Sequence, residues 1–344
     1  MTTLYLIRHG EAEGNAFRRI HGQYDTLLTA NGFRQVEAVA ARFREIPIDA
    51  CFSSDLTRTS LTARSIYQTK GLPLRRDPAF REIGLGRWED LPFGYLERFE
   101  PEDMLRFNRD PVAWHVDGAE NFPTYTDRFI AGMESAARAF PGGTVAIFAH
   151  GGVLRGMLMR LFFGNDASRV PYCDNTAVSK LIWDGNRFTY VFLNDNSHVP
   201  EELSTFARQK WWRQDGKKDY NLWYQPLETL PEGMPVPEAD WVSFQAILVD
   251  QPVGLLSLDK ETGLIKKLYL LPEHRDKTLE DQLLGQAISC LRTWGFGTMQ
   301  VRREDVQPPE VLDRYGFRAE DGLWSLNIDP GIYTWEPASC AGVK

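Results

Sequence analysis

The chain has 344 residues, 43% of them apolar, which predicts two domains with cores of ordinary size. Its formal net charge of −8 argues against nucleic acid or an anionic membrane as a partner, so any site for an anionic ligand must be a local basic pocket. No apolar run reaches the roughly 20 residues that cross a bilayer, no signal segment precedes Thr2, and the four cysteines are far apart, so we expect a cytoplasmic protein without a disulfide framework or zinc site.

Apolar runs and helical periodicity alternate through the first half of the chain. They predict, in chain order, a strand at 4–7, a helix around 33–43 capped by Thr29 or Asn31, a strand at 48–52, a helix at 56–67, a helix at 129–140, a strand at 144–149, a helix that runs through 159, and a hairpin of strands at 178–183 and 188–193. This alternation predicts an α/β domain whose sheet is mostly parallel and doubly wound, with helices on both faces.

The composition changes between about residues 200 and 240, where Trp211, Trp212, Trp223 and Tyr224 lie among Lys, Asp and Pro. We interpret this stretch as a connecting helix whose aromatic side chains pack between two domains, with a ligand-binding aromatic patch as the alternative. Beyond it, the sequence predicts strands at 242–249, 253–258, 264–271, 298–301 and 323–328, a helix from 279 to 294, and a short helix near 309–315. These elements predict a separate, smaller α+β domain.

The most informative motif is Arg8-His9-Gly10-Glu11, which follows the predicted strand at 4–7 directly. In open α/β sheets, ligands bind just beyond the carboxyl ends of the strands, so the motif brings a guanidinium and an imidazole to the expected site. A guanidinium binds phosphate oxygens with a planar fork. An imidazole can attack phosphorus or exchange a proton near neutral pH. The motif therefore predicts a site for a phosphorylated ligand.

Five separated segments, in this order, resemble the histidine phosphatase superfamily, in the branch that contains cofactor-dependent phosphoglycerate mutases and many small phosphatases. The resemblance covers residues 1 to about 198 and rests on Arg8 to Glu11 with Asn15, Gly22 to Asp25 with Leu28, Thr29 and Gly32, Ser53 to Arg58 with Thr62 and Ala63, Arg81 and Glu82 with Gly86, Trp88 and Glu89, and Ala149 to Gly152. It implies a phosphoglycerate mutase-like fold and a small phosphorylated metabolite as substrate.

The resemblance also implies roles for individual residues. His9 is then the nucleophile that forms a phosphohistidine, and Glu82 is the acid that protonates the leaving alkoxide and later the base for water. Arg8, Arg58 and His150 would hold the phosphoryl oxygens, and the two guanidiniums would help to keep His9 neutral. Further substrate contacts are expected from Asn15, His21, Gly22 and Gly151. No metal or other cofactor is expected to be required, since these side chains supply the positive charge.

Departures from the family pattern bear on the reaction. The segment 87–97 lacks the Tyr-Gly-x-Leu-x-Gly-Leu run that is typical of the mutases and shields their phosphoenzyme from water. We therefore expect a metal-independent phosphomonoesterase, with a phosphoglycerate mutase as the alternative. Leu27 and Asp90 replace the family's usual Pro and common Gly, which we interpret as changes of loop shape. Side chains from residues 87–121 are expected to form the pocket walls.

Residues 218–338 resemble, more faintly, the GNAT acetyltransferases, through Pro252 to Leu256, Leu268 to Arg275, and Tyr315 to Phe317. In that family, a Gly-rich loop at a helix N-terminus holds the pyrophosphate of coenzyme A. Here Asp276, Thr278 and Glu280 replace the expected glycines, and Leu312 stands where a Tyr acid is frequent. We therefore expect a degenerate acetyltransferase-like domain.

The predicted boundaries are thus a histidine phosphatase domain at 1–198, a linker at 199–217 and the acetyltransferase-like domain at 218–338. The second domain is expected to serve packing, homodimer formation or the sensing of another ligand. Two alternatives remain open. One is a bifunctional phosphatase–acetyltransferase that binds acetyl-CoA, and the other is a regulatory protein whose C-terminal domain binds a metabolite.

Overall fold

The computed structural model describes residues 1–170, 173–209, 220–275 and 279–332. The strands of the first part are β1 (Thr2–Arg8), β2 (Arg19–Ile20), β3 (Ala50–Ser53), β4 (Leu74–Arg76), β5 (Leu91–Pro92), β6 (Thr144–Ala149), β7 (Val178–Trp183) and β8 (Phe188–Asp195). Its helices are α1 (Glu13–Ala16), α2 (Ala30–Phe43), α3 (Thr57–Lys70), α4 (Phe93–Phe99), α5 (Pro101–Arg109), α6 (Phe122–Ala139), α7 (Gly151–Phe162) and α8 (Thr205–Gln209).

Six strands form the first sheet, in the order β4-β3-β6-β1-β7-β8. The first four are parallel, and the β7–β8 hairpin is added antiparallel at one edge. Successive side chains of β1 enter different cores, because strand residues alternate between the two faces of a sheet. Leu6 packs in the core shared with α6 and α7, whereas Ile7 packs in the core shared with α2 and α3. The prediction of a mostly parallel α/β sheet covered on both faces is confirmed.

The sheet brings the carboxyl ends of β1, β3 and β6 to one edge. Arg8 pairs with Ala149 in the parallel register of β1 and β6, and the amide of His9 donates to the carbonyl of Ala149 at 3.0 Å. The helices α3 and α7 begin just beyond β3 and β6. Thr29 caps α2 through a hydrogen bond from the amide of Gly32. The motifs at residues 8–11, 53–58 and 149–152 therefore converge at the carboxyl edge of the sheet.

A second sheet follows, with β9 (Leu222–Pro226), β10 (Val242–Leu248), β11 (Gln251–Leu258), β12 (Leu264–Leu270), β13 (Thr298–Val301), β14 (Val306–Gln307), β15 (Arg318–Glu320), β16 (Leu323–Asn327), α9 (Leu279–Thr293) and α10 (Glu310–Tyr315). Its strands run in the order β15-β16-β13-β12-β11-β10-β9, and β14 also pairs with β12. The apolar stripe of α9 packs in the core of this sheet, through Leu283, Leu284 and Ile288. The predicted strands and helices of this part are confirmed.

The prediction of a connecting helix around residues 200–240 is wrong for Trp223 and Tyr224. Both lie on β9, which pairs with β10 at the edge of the second sheet, and aromatic side chains suit a half-buried strand. Trp223 packs against Phe99 of α4, with the ring centroids 5.2 Å apart, so this aromatic does lie between the two parts. Trp211 and Trp212 lie outside the described residues. Among the helices that the structure describes, none has both the length and the apolar character to cross a membrane.

Candidate active site

His9 follows the last residue of β1 and is buried, with 5% of its surface exposed. Its Nδ1 lies 2.7 Å from the carbonyl oxygen of Gly10. Because a carbonyl only accepts, Nδ1 carries the hydrogen and Nε2 keeps its lone pair. Burial, and then the guanidiniums of Arg58 and Arg8, hold the pKa of His9 well below its usual value. The imidazole is therefore neutral near pH 7, with Nε2 available as a nucleophile.

His150, the residue after β6, lies beside His9 with the two ring centroids 5.2 Å apart. Its Nδ1 accepts a hydrogen bond from Nε of Arg58 at 3.2 Å, so its hydrogen is on Nε2. Burial, followed by Arg58, holds the pKa of His150 well below its usual value. Nε2 of His150 and Nε of Arg8 are both buried and have no hydrogen-bond partner among the described residues. Two such donors favour the binding of an anion at this edge of the sheet.

Arg58 is the second residue of α3, and its guanidinium is held from both sides. Nη1 donates to the carbonyl of Tyr24 at 2.9 Å, and Nη2 donates to the carbonyl of Gly22 at 2.6 Å. The preceding residue, Thr57, is fixed by Asp25, which accepts from its amide at 2.8 Å and from its hydroxyl at 2.7 Å. A guanidinium has five N–H groups. Three are used by Tyr24, Gly22 and the imidazole described above, so two remain for a phosphoryl oxygen.

The carboxylate of Glu82 lies at the N-terminus of α7. Its Oε2 accepts from the amide of Gly152 at 2.9 Å, and its Oε1 accepts from the amide of Val153 at 2.6 Å. Free amides at a helix N-terminus attract negative charge. A Cβ on Gly152 would lie 2.8 Å from Oε1 of Glu82, and a Cβ on Gly151 would lie 3.1 Å from Cζ of Arg8. The glycine pair therefore lets both functional side chains approach the start of α7.

Asn15 and His21 belong to the segment around α1 and β2. Oδ1 of Asn15 accepts from Nδ2 of Asn175 at 3.1 Å, which leaves the amide NH2 of Asn15 as its donor toward a ligand. The side chain of His21 is 8% exposed, its Nε2 lies 3.4 Å from Oδ1 of Asp90, and desolvation lowers its pKa to about 4. His21 is therefore a neutral, polar part of the cavity wall rather than a cation for a phosphate.

A cavity of about 310 Å³ lies between these groups. Eight of the nine predicted site residues line it, namely Arg8, His9, Asn15, His21, Gly22, Arg58, Glu82 and Gly151. The ninth, His150, is fully buried and packs against His9 and Arg58 instead. Residues from the predicted wall segment also line the cavity, among them Phe93, Met104 and Phe107. The expectation that residues 87–121 contribute to the walls is confirmed for these side chains.

The family model described as the histidine phosphatase superfamily (branch 1) matches residues 4–196, more than half of the chain. The chain belongs to the histidine phosphatase superfamily. The resemblance read from the five motifs of the first part is thereby confirmed. The second sheet begins after residue 196 and lies beyond the matched region.

Relatives within the histidine phosphatase superfamily include both mutase and phosphatase names. A probable phosphoglycerate mutase GpmB from Shigella boydii is 32% identical over 206 residues, which cover 58% of this chain and 95% of that protein. Its counterpart from Escherichia coli K12 is 35% identical over the same shares. The solved structure of YhfR from Bacillus stearothermophilus is 28% identical with a TM-score of 0.55, covering 58% of this chain and 100% of that chain. A mycobacterial glucosyl-3-phosphoglycerate phosphatase, solved with VO3, is 26% identical with a TM-score of 0.53, covering 56% of this chain and 98% of that chain.

One wall of this histidine phosphatase site was not predicted from the sequence. The helix α8, in the predicted linker, brings Phe206 and Gln209 to the cavity. Gln209 Nε2 donates to the carbonyl of Asn15 at 2.7 Å, and the ring of Phe206 lies 6.0 Å from the guanidinium of Arg8. Asn175 was also missed, although its Nδ2 donates to the carbonyl of His9 at 3.0 Å. These positions carry no motif or periodicity, so no local signal could have marked them.

The histidine pKa values predict that this histidine phosphatase loses stability in mild acid. Burial holds the pKa values of His9 and His150 well below the usual value and lowers those of His21 and His198 to about 4. Below about pH 6.5 these histidines bind protons in the unfolded chain but not in the folded chain. Their contribution to the free energy of unfolding is therefore fully present above that pH and is lost as the pH falls below it. Burial raises the pKa of Asp281 to about 7, so on acidification this group takes up its proton in the folded chain first. That uptake increases the free energy of unfolding by roughly the amount that one histidine loses. The free energy of unfolding is expected to fall by about 2 to 4 kcal/mol from pH 7 to 5.5.

Urea unfolding followed by circular dichroism at the two pH values measures this loss. The variant His198→Gln provides the comparison, because His198 lies outside the cavity lining and bonds Arg42 Nη1 at 3.0 Å, a bond that a glutamine oxygen can also accept. Its acid loss is expected to be smaller than that of the wild type by up to about 1 kcal/mol, since the ring is only partly buried. Equal stability of the wild type at pH 7 and 5.5 would contradict the prediction.

Proposed function

We propose that this histidine phosphatase is a metal-independent phosphomonoesterase that hydrolyses a small phosphorylated metabolite through a phosphohistidine on His9. One observation carries the proposal. The neutral His9, with its lone pair on Nε2, lies next to two buried donors, on Arg8 and His150, that have no hydrogen-bond partner in the described part of the chain. Phosphoryl transfer requires a nucleophile and positive or donating groups around the phosphoryl oxygens, and these residues supply both.

In the first step, Nε2 of His9 attacks phosphorus and the bond to the leaving oxygen breaks. Glu82 gives its proton to that oxygen, so the product leaves as an alcohol. The hydrogen bond from Nδ1 to the carbonyl of Gly10 holds the ring and stabilises the charge that it gains. Arg8, Arg58 and His150 donate to the phosphoryl oxygens during the transfer.

In the second step, water attacks the phosphohistidine. The carboxylate of Glu82 takes a proton from the water, the phosphorus–nitrogen bond breaks, and the electron pair returns to Nε2 of His9. Inorganic phosphate then leaves. The position of Glu82 supports this double role, because the amides of Gly152 and Val153 fix its carboxylate at the cavity wall.

A phosphoglycerate mutase is the second candidate, and the names of the GpmB relatives favour it. Two observations support hydrolysis over transfer. The segment 87–97 lacks the mutase run, and the mycobacterial relative of known structure is named as a phosphatase. Water then reaches the phosphohistidine before a second acceptor does.

We expect the full chain to release inorganic phosphate from members of a panel of phosphorylated sugars, glycerates and nucleotides, in buffer with a metal chelator. The rate is expected to be independent of added bisphosphorylated glycerate, because hydrolysis needs no stored phosphoryl group. Phosphate release and the isomerisation of 3-phosphoglycerate are measured in parallel. Isomerisation that depends on the bisphosphorylated activator, without phosphate release, would identify a mutase and contradict the proposal.

We further propose that the second sheet is an acetyltransferase-like domain that does not hold coenzyme A. The N-terminus of α9, where the pyrophosphate is expected, carries the buried carboxylates of Glu280 and Asp281. Arg314 binds both, with contacts of 3.1 Å and 2.7 Å. A pyrophosphate there would meet two carboxyl groups that Arg314 already binds, so this cation is not free to pair with it. Asp276 and Thr278, which replace glycines of the family loop, lie outside the described residues.

A further inference from the structure

We propose that Ser289 and Arg292 of α9 are positioning residues for the active site in the first part of the chain. Both lie on α9, which packs on the second sheet, yet they bind the segment 13–24, which carries Asn15, His21 and Gly22 of the cavity wall. The expected effect of these residues on turnover rests on the function proposed above. Their expected effect on phosphate binding does not. It makes the second sheet a part of the catalytic machinery rather than an independent attachment.

Close packing brings α9 against this segment. Gly285 of α9 faces Phe17, and a Cβ on Gly285 would lie 2.5 Å from the Cβ of Phe17. Phe17 is 3% exposed and belongs to the apolar core of the second sheet, where its ring lies 4.9 Å from the ring of Tyr315. The absence of a side chain at Gly285 therefore allows a contact between the two parts as close as contacts within a core.

Arg292 fixes the beginning of the segment. Its Nη1 and Nη2 donate to the two carboxylate oxygens of Glu13 at 2.7 Å and 3.0 Å, in a bidentate pair. Both side chains are nearly buried, with 12% and 8% exposed, so the pair is shielded from solvent. Nε of Arg292 donates to the carbonyl of Ile328 at 2.7 Å, which anchors the guanidinium to the second sheet. Planar bidentate geometry fixes orientation as well as distance.

Ser289 fixes the middle of the segment through Asp90. Its hydroxyl donates to Oδ2 of Asp90 at 2.6 Å and accepts from Nη2 of Arg19 at 3.0 Å. Asp90 in turn accepts from Nε of Arg19 at 2.7 Å and lies 3.4 Å from Nε2 of His21. Asp90 has a φ of +60°, in the left-handed region that residues other than glycine adopt less often. Its contacts with Ser289, Arg19 and His21 compensate for that strain.

The position of segment 13–24 also determines the orientation of the Arg58 guanidinium. The carbonyls of Gly22 and Tyr24 accept hydrogen bonds from the two terminal nitrogens of Arg58, as described above. Arg292 also lies over the ring of Tyr24, 5.9 Å from its centroid. A shift of segment 13–24 would therefore turn the guanidinium of Arg58 and move the wall at His21 together. Small displacements of a positioned catalytic group have large effects on rate.

The test uses full-length Ser289→Ala, which removes the hydroxyl between Asp90 and Arg19. We expect KM for the preferred phosphomonoester and Kd for inorganic phosphate to rise about 3- to 10-fold, because only part of the loss of the two hydrogen bonds at this hydroxyl is passed on to the distant phosphate site. Titration calorimetry measures phosphate binding, and steady-state kinetics separates KM from kcat. Arg292→Met is the second variant, with the same expected direction.

The matched control is Ser243→Ala, which breaks the 2.8 Å hydrogen bond between Ser243 and Ser257 inside the second sheet. It is expected to leave KM and Kd at the wild-type values, and Ser289→Thr, which restores a hydroxyl, is expected to recover most of the loss. A merely structural role would lower the melting temperature of Ser289→Ala and leave the Kd of the folded protein unchanged.

Unchanged KM and Kd in Ser289→Ala would overturn the positioning role, whatever the melting temperature. If the wild type hydrolyses no phosphomonoester, the proposed function fails, and the phosphate Kd alone decides the positioning role. In that case a Kd raised in Ser289→Ala but not in Ser243→Ala supports it. A wild type that neither hydrolyses a phosphomonoester nor binds phosphate would overturn both proposals.

Discussion

His9→Ala is expected to lower kcat by at least about 10⁴-fold, because it removes the atom that we propose forms the covalent bond to phosphorus. The remaining donors of the site still hold a phosphoryl group, but none of them has the lone pair that the neutral ring offers. Arg8 and Arg58 are cationic, and Nδ1 of His150 already accepts from Nε of Arg58. Phosphate binding by His9→Ala is therefore expected to persist while turnover is lost. Phosphate release and isothermal titration with inorganic phosphate measure the two effects.

The control for this loss is Glu82→Gln, which removes the acid but leaves the nucleophile. With p-nitrophenyl phosphate, whose leaving group needs little protonation, the variant is expected to accumulate phosphorylated protein while its turnover falls about 10²- to 10⁴-fold. Mass spectrometry after an alkaline quench measures the label on His9. Since an amide cannot accept from all the N–H groups that the carboxylate of Glu82 now binds, its thermal unfolding is recorded alongside. If His9→Ala turned over at the wild-type rate, or still became phosphorylated, His9 would not be the nucleophile.

Arg58→Ala is expected to lower kcat/KM by about 10³-fold or more, the range in which guanidiniums contribute to phosphoryl transfer. The loss has two sources in this site. The phosphoryl oxygens lose a cation, and Nδ1 of His150 loses its donor, so the ring is no longer held in one orientation. Arg58→Lys is expected to recover little, because a single ammonium cannot reach the carbonyls of Gly22 and Tyr24 and the imidazole together.

A matched control lies on the same helix. Lys70, in the last turn of α3, donates to the carbonyl of Arg44 at 2.6 Å and is not among the residues that line the cavity. Lys70→Ala is expected to retain kcat/KM within about twofold of the wild type, since an exposed contact of this kind contributes little. Steady-state kinetics of both variants decides the matter. A kcat/KM of Arg58→Ala close to that of Lys70→Ala would show that Arg58 does not contact the reacting group.

The first sheet and the centre of the site could be predicted because their signals are local. An apolar strand that ends in Arg8 and His9 places both at a sheet edge, and the apolar run before His150 does the same for the neighbouring strand. The parallel pairing of β1 and β6 then brings the two imidazoles together. Only the tautomers needed the coordinates, since they follow from the partners of each ring nitrogen.

The remaining walls could not be predicted, because tertiary contacts alone determine them. Phe206 reaches the cavity since α8 is tied down by Glu11, which accepts from the hydroxyl of Thr205 at 2.8 Å and binds Arg208 at 3.2 Å. Glu11 belongs to the Arg-His-Gly-Glu motif, so its partners nearly two hundred residues away are invisible in a local pattern. The edge strand β9 was mistaken for a helix for a related reason. Its aromatic residues gain their strand conformation from pairing with β10.

The position of Phe17 has a consequence for the order in which the protein acquires its native form. This side chain leaves the ribosome well before its packing partners Gly285 and Tyr315, which lie much later in the sequence. A nascent chain that stops short of α9 leaves an apolar ring in water and a glutamate without its arginine. The segment that shapes the pocket thus reaches its final arrangement only after α9 and α10 have been synthesised.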